Sequence, residues 1–97
     1  MEQPQDKLKR LKAAALIATA IAVPAEGIRQ YAYYDPPGIL TVCYGHTGND
    51  FKKGVKYDIN QCKQWLDDDM LFAVMAVERC APGLPDNVLA AFADAVY

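Results

Sequence analysis

Three side chains in the first half of the chain, Glu26, Asp35 and Thr41, are of types that take part in glycoside hydrolysis. This reaction usually needs two carboxyl groups on opposite sides of a sugar bond: one gives a proton to the leaving oxygen, and the other activates water or attacks directly. Glu26 lies where an apolar segment meets Gly27, and Asp35 begins a turn. A helix end beside a β-hairpin would hold two such carboxyl groups apart. Taken singly, each residue also fits an ordinary role, because an Asp before a Pro is usually a turn residue.

The hairpin is predicted from two β-rich runs, YAYY and ILTVCY, on either side of a turn that contains two prolines and a glycine. If residues 36–38 form the turn, Thr41 lies opposite Tyr33. It would then be diagonal to Asp35 on the same face, roughly 7–8 Å away between Cα atoms. A hydroxyl group there could share a water with Asp35. A slip of one residue in register would move Thr41 to the other face.

Residues 58–80 are predicted to form one helix that begins at Asp58, a favourable N-cap. An apolar stripe near the helical period supports this prediction; it comprises Ile59, Leu66, Met70, Val74 and Val77. Asp67, Asp68 and Asp69 are expected on a solvated face of the helix.

A last helix is expected after the sequence APGLP, which ends the preceding one. Asp86 or Asn87 could cap it, and its apolar stripe comprises Val88, Leu89, Phe92 and Val96. The sequence gives no stop signal before Tyr97. We therefore expect that the chain is truncated there and that the stripe has no covering partner.

The N-terminal segment has two interpretations. Residues 1–12 are polar and basic, and residues 13–23 are a weakly apolar, alanine-rich run. The order of basic, apolar and small residues is typical of an export signal, although 11 residues are too few for an ordinary transmembrane helix. An alanine-rich helix buried in a core explains the same composition.

Composition and cysteine content limit the remaining classes. A chain of 97 residues with a net charge of −2 indicates one globular domain without the basic excess typical of nucleic-acid-binding proteins. A structural zinc site is not expected, since there is no CxxC motif or Cys/His cluster. If residues 58–80 are one helix, Cys62 and Cys80 lie about 27 Å apart and cannot be bonded. A bond between Cys43 and Cys62 is allowed, which would leave Cys80 unpaired.

The spacing of the three candidate residues is also that of a known family. A Glu, eight residues, an Asp, five residues and a Thr occur in the same order in the T-even phage lysozymes. The segments that resemble this family most closely are EGIR from Glu26, AYYD ending at Asp35, and GILTVCYGHT from Gly38 to Thr47. Residues 58–71 and 84–97 look like later segments of the same family, so the resemblance covers residues 24–97.

The resemblance implies a role for each candidate residue. Glu26 would be the general acid, and Asp35 and Thr41 would position or activate the attacking water, without a cofactor or metal. The bond cut would be the β-1,4 link between N-acetylmuramic acid and N-acetylglucosamine. His46 looks like the family's structural histidine, which holds the active-site loop. Apolar surroundings would keep Glu26 protonated at neutral pH, and Tyr31, Tyr33 and Tyr44 could provide them.

The implied fold is α+β and lysozyme-like, with an N-terminal helix, a small β-hairpin lobe, a long connecting helix and an incomplete C-terminal helical lobe. We expect a single incomplete domain over residues 1–97, made of a helix (1–25), a catalytic hairpin lobe (26–57) and later helices (58–97). The first segment also resembles signal-anchor-release endolysins, phage-encoded lysis enzymes whose N-terminal segment lodges in the host inner membrane and then leaves it for the periplasm. Residues 7–23 would contact the membrane transiently.

Three functions remain open at this stage. The first is a muramidase for host lysis that acts on peptidoglycan glycan strands. The second is a truncated, inactive lysozyme fragment that associates with itself or with a complementary C-terminal fragment. The third is a small membrane-active protein, which rests on residues 7–23 alone.

Overall fold

The computed structural model describes the backbone of residues 1–97 and every side chain except those of Ala25 and Glu26. Over this backbone the elements are, in chain order, α1 (Pro4–Glu26), β1 (Arg29–Tyr34), β2 (Leu40–Cys43), β3 (His46–Thr47), α2 (Ile59–Cys80) and α3 (Asp86–Val96). The strands form an antiparallel sheet in the order β1-β2-β3, and the three helices pack on one another. The predicted α+β fold class is confirmed.

Helix α1 begins with Pro4 in its first turn, where a missing N–H costs nothing. It continues through the alanine-rich run to Glu26, and Gly27, with a φ of 68°, turns the chain away from the helix axis. Its buried face is narrow and mostly alanine, which lets α2 and α3 approach closely; it comprises Leu11, Ala14, Ala18 and Ala22. In the folded chain, residues 13–23 are therefore part of a core helix.

Larger apolar side chains around this buried stripe remain exposed on α1, at Leu8, Leu16, Ile17 and Ile21. In the part of the chain that the structure describes, no helix combines the length and the apolar character that a membrane span requires.

Helix α2 begins as predicted, because the side chain of Asp58 accepts a hydrogen bond from the N–H of Gln61 at 2.7 Å. Leu66, Met70, Val74 and Val77 are buried, as the stripe predicted. The prediction for Ile59 is wrong: it is 49% exposed, because the first turn of the helix extends beyond the elements that cover the rest. Three further residues that the predicted stripe did not include are also buried on this face: Cys62, Trp65 and Ala73.

Helix α3 differs from the prediction at its start and on its buried face. Asp86 already lies in the first turn, and the N-cap position is Pro85, which has no capping side chain, so neither Asp86 nor Asn87 is the cap. Leu89 is buried together with two alanines, Ala90 and Ala93. The small side chains allow a close fit against α1 and α2, and this rotates Val88, Phe92 and Val96 toward solvent.

The hairpin has the predicted turn and register. The N–H of Gly38 donates to the carbonyl of Asp35 at 2.8 Å, and the N–H of Asp35 donates to the carbonyl of Ile39 at 3.0 Å. Tyr33 pairs with Thr41, as the turn at residues 36–38 requires. A bulge interrupts β1 between Arg29 and Tyr33.

A disulfide between Cys43 and Cys62, with Cα atoms 5.0 Å apart, joins the end of β2 to the first turns of α2. Cys80 at the far end of α2 is free and exposed. The prediction that Cys62 and Cys80 are not bonded to each other is confirmed. The small sheet is thus covalently attached to the helices.

Candidate active site

Asp35 lies where β1 ends and the turn begins, and its side chain is half-buried. Its Oδ1 accepts a hydrogen bond from the N–H of Ile39 at 2.8 Å, across the turn. Asp35 is therefore a turn residue, and the same bond fixes the direction of its carboxylate.

Thr41 lies on β2, opposite Tyr33, and is only 4% exposed. Its hydroxyl donates to the carbonyl of Ile39 at 3.0 Å. The N–H of Ile39 is bonded to Asp35 and its C=O to Thr41, so one backbone residue holds both candidate side chains. The structure brings Asp35 and Thr41 to the same end of the hairpin.

Glu26 is the last residue of α1, and its side chain lies outside the described residues. The backbone places it just before Gly27, whose N–H donates to the carbonyl of Val23 at 3.2 Å. The chain then enters β1 at Arg29, which pairs with Cys43. Helix end and hairpin are thus adjacent along the chain, as the sequence predicted.

The three tyrosines expected to surround the site differ in burial. Tyr44 is buried and Tyr33 is half-buried, whereas Tyr31 is 56% exposed. Tyr31 lies on the outer edge of β1, where its backbone pairs with Lys56, and it is the most solvent-exposed of the three. That these rings surround the Glu26 carboxyl stays a prediction.

His46 is buried between two carboxylates and an indole ring. Its Nδ1 lies 2.7 Å from Oδ2 of Asp69, and its Nε2 lies 2.8 Å from Oδ1 of Asp50. The imidazole stacks on Trp65 with ring centroids 4.6 Å apart and planes within 5°. Only the doubly protonated ring donates to both carboxylates.

This environment changes the titration of His46. Burial lowers the pKa of the imidazole, but hydrogen bonds and charge from Asp69 and Asp50 outweigh it, so that the pKa is raised above its ordinary value. The pKa of Asp50 is lowered: burial opposes the shift, and the hydrogen bond from His46 drives it. The predicted solvated face of α2 is therefore wrong for Asp69, which turns toward the sheet to meet this histidine.

Sequence reasoning did not identify Trp65, Asp50 or Asp69 as part of this cluster. Only the spacing of His46 and Asp50 could have indicated their contact, since side chains four residues apart can meet in a loop as well as on a helix. Trp65 and Asp69 reach the cluster from α2, a contact that only the packing of helix and sheet creates. Together these contacts attach the loop after β3 to α2.

Among the described side chains, no group of three or more His, Cys, Asp or Glu residues is arranged to hold a metal ion.

The family model, the relatives and the solved structure described next are all phage lysozymes or endolysins. Residues 23–97 match the family model for phage lysozyme. The SAR-endolysin of Bacteriophage PS119 is 48% identical over 46 residues, which is 47% of this chain and 28% of that protein. The SAR-endolysin of Escherichia phage Mu is 35% identical over 86 residues, which is 73% of this chain and 49% of that protein. The chain thus spans less than half the length of these relatives.

The fold also has a close structural neighbour. A crystal structure of a candidate phage endolysin from S. enterica aligns with a TM-score of 0.66 and 19% identity. The alignment covers 84% of this chain and 89% of that one, so the arrangement of helices and small sheet is shared. Because the family model covers the hairpin and both later helices, this chain belongs to the phage lysozyme family.

Proposed function

We propose that this chain is a muramidase of the endolysin type, which hydrolyses the β-1,4 bond between N-acetylmuramic acid and N-acetylglucosamine in peptidoglycan during host lysis. Membership of the phage lysozyme family supports this proposal. The observation that carries it is the attachment of Asp35 and Thr41 to opposite polar groups of Ile39.

The hydrogen bonds around Ile39 suggest how water would be held. A threonine hydroxyl has one proton and two lone pairs, and Thr41 gives its proton to Ile39. Its oxygen is therefore left to accept a hydrogen bond from water. Within the described part of the chain, Oδ2 of Asp35 has no protein donor, so it can accept the second proton of the same water. The lone pairs of that water would then point away from both groups, toward a sugar carbon.

Glu26 is the proposed acid, which protonates the leaving oxygen from the other side of the bond. In such a mechanism the anomeric centre inverts, and the two carboxyl groups are expected to lie about 6.5–9.5 Å apart to leave room for the water. The anomer formed first, observed by NMR of a soluble oligosaccharide during turnover, tests this proposal. A retained anomer would contradict it.

The activity itself is tested by the release of reducing ends from purified peptidoglycan. The wild-type chain should release them, Glu26→Gln should not, and Glu2→Gln should behave like wild type, because Glu2 lies at the other end of α1, outside the candidate site. If the wild-type chain releases no reducing ends, the chain is the inactive fragment that the sequence left open.

We also propose that the chain reaches the periplasm through the inner membrane, with residues 7–23 as the transient contact. The relatives named SAR-endolysins and the exposed apolar side chains of α1 support this route. Pulse-chase fractionation of cells should find the chain first with the membrane and later in the periplasm. Permeabilisation of vesicles by residues 1–25 alone would favour a membrane-active protein instead.

A further inference from the structure

The outer edge of β1 carries cations that lie close to tyrosine rings. The guanidinium of Arg29 lies 4.6 Å from the ring centroid of Tyr33, and Nζ of Lys53 lies 4.7 Å from that of Tyr34. Tyr34 is 59% exposed, so this second pair faces solvent. Neither pair belongs to the hydrogen bonds that hold Asp35 and Thr41.

The loop that carries the lysines is fixed to this edge. The N–H of Tyr57 donates to the carbonyl of Gln30 at 2.9 Å, and Nε2 of Gln30 donates to the carbonyl of Tyr57 at 3.0 Å. The hydroxyl of Tyr57 accepts from the N–H of Lys52 at 2.8 Å. The backbone of Lys56 also pairs with that of Tyr31 as an isolated antiparallel bridge. The lysines are therefore held beside the strand.

Three basic residues lie along this edge, which we call the basic edge: Arg29, whose guanidinium lies beside Tyr33; Lys53, whose ammonium lies beside Tyr34; and Lys56, whose backbone pairs with Tyr31. The two charges held by ring contacts thus lie beside consecutive residues of β1. Residues 27–57 contain four basic residues (Arg29, Lys52, Lys53 and Lys56) and two acidic ones (Asp35 and Asp50), whereas the whole chain has a net charge of −2. The hairpin lobe therefore has a net positive charge, although the whole chain is negative.

We infer that the basic edge binds the acidic stem peptides of the peptidoglycan strand whose glycan bond lies at Asp35 and Glu26. Several cations along one strand edge fit a polymer that carries carboxylates. The exposed rings of Tyr31 and Tyr34 offer flat apolar surfaces beside those charges. A nucleic acid fits less well, because residues 58–97, with two basic and seven acidic side chains, would repel its phosphates. This inference rests on the proposed muramidase function.

The test measures binding separately from turnover. Each variant is placed in the Glu26→Gln chain, and its retention is measured on intact sacculi and on sacculi whose stem peptides an amidase has removed. The Glu26→Gln chain without further changes should bind intact sacculi more tightly than sacculi without stem peptides, and salt should weaken its binding to intact sacculi. Adding Lys53→Gln and Lys56→Gln should weaken binding to intact sacculi roughly tenfold, as expected for two exposed charge pairs, and should leave binding to stripped sacculi unchanged.

Two controls separate charge from fold. Lys53→Arg with Lys56→Arg should retain the binding, and Lys63→Gln, an exposed position on α2, should leave it unchanged. Equal binding of the double Gln variant and its parent to intact sacculi would overturn the inference, as would equal affinity for duplex DNA. Reducing-end release by the wild-type chain is measured in parallel. If it persists while the Lys variants have no effect on binding, the inference fails and the muramidase function stands.

Discussion

Arg10 and Glu78 form a two-pronged ion pair, with Nη1 to Oε1 at 2.7 Å and Nη2 to Oε2 at 2.8 Å. It joins the first half of α1 to the last turn of α2, and Glu78 is buried there. Nη1 of Arg10 also donates to the carbonyl of Leu84, and the N–H of Gly83 donates to Glu78. The loop before α3 is therefore fixed to the same pair.

Removing one partner of this pair should be costly. Glu78→Gln removes the buried carboxylate and leaves Arg10 paired only with the more exposed Glu2, so the free energy of unfolding should fall by about 1.5–3 kcal/mol. Glu2→Gln is the matched control, because Glu2 binds the same guanidinium from an exposed position and should cost less than about 1 kcal/mol. Urea unfolding at pH 7 measures both. Equal losses would show that the burial of Glu78 does not matter.

Because of the Arg10–Glu78 pair, the free energy of unfolding should depend on pH in the acid range. The hydrogen bond from Arg10 lowers the pKa of Glu78 despite its burial. Its contribution is therefore present above the unfolded pKa of about 4.3 and is lost as the pH falls through the lower folded value. As the pH falls below 4, the free energies of unfolding of wild type and Glu78→Gln, measured with urea, should therefore approach each other.

His46 should give the opposite dependence on pH. Because its folded pKa is raised, the stabilisation by Asp69 and Asp50 is fully present below the unfolded pKa of about 6.5 and is lost as the pH rises through the folded pKa. Asp69→Asn should lower the free energy of unfolding by about 1.5–3 kcal/mol at pH 6 and by less at high pH. Asp67→Asn, on the exposed face of α2, is the control. Urea unfolding from pH 5 to 9 measures the difference in free energy of unfolding between wild type and Asp69→Asn. A difference that stays constant over this range would contradict the prediction.

The disulfide should stabilise the chain, and the free cysteine should not. Cys43 and Cys62 close a sequence separation of 19 residues, for which chain entropy gives about 3 kcal/mol. Cys62→Ala should lose about this amount, whereas Cys80→Ser should change little. Cys43→Gly should lose less, because Cys43 has a φ of 62°, which a glycine adopts without the cost of about 1–2 kcal/mol. Peptide mapping and thermal unfolding check these points, and a Cys62–Cys80 bridge would contradict the structure.

The hydroxyl of Thr41 should matter more than its methyl group. Thr41→Ser keeps the donor to Ile39 and the acceptor for water, so it should retain most of the activity. Thr41→Val keeps the shape and removes both. Loss of a positioned catalytic group typically costs 10²–10⁴-fold, so reducing-end release should fall by about 10²-fold in Thr41→Val and more in Glu26→Gln. Similar activity in the Ser and Val variants would exclude a role for the hydroxyl.

The apolar surface of α2 and α3 should make the chain associate at micromolar concentration. Phe72 is 71% exposed, Phe92 54% and Val96 62%, and they flank a groove lined by Ala76, Val77, Cys80 and Ala81. Burying one large apolar side chain gains about 1.5–3 kcal/mol. Sedimentation should therefore show self-association that Phe92→Ser weakens. A monodisperse 10.7 kDa monomer with cooperative unfolding at high temperature would contradict this prediction.

The geometry of the hairpin could be predicted from local sequence. Its turn at residues 36–38 and its pairing of Tyr33 with Thr41 follow from proline, glycine and the two-residue alternation of a strand. The extent of α2 follows in the same way from its Asp58 cap and apolar period. These features depend on residues within a few positions of one another, so they could be predicted.

The positions that could not be predicted depend on partners far along the chain. Ile59 has the right period for burial but lies in the first turn of α2, beyond the elements that cover the rest of the helix. The stripe of α3 also has the right period, but which face of that helix is covered depends on how closely the alanines of α1 and α3 pack. The sequence by itself determined the helices, the hairpin and their order, because helix, turn and strand preferences act over short distances. Its resemblance to the phage lysozymes supplied the fold class and the candidates Glu26, Asp35 and Thr41. Only the tertiary structure decided that Asp69 binds His46, that Arg10 binds Glu78 and that Lys53 lies over Tyr34. Each of these contacts joins side chains between 19 and 68 residues apart, and packing alone brings such residues together.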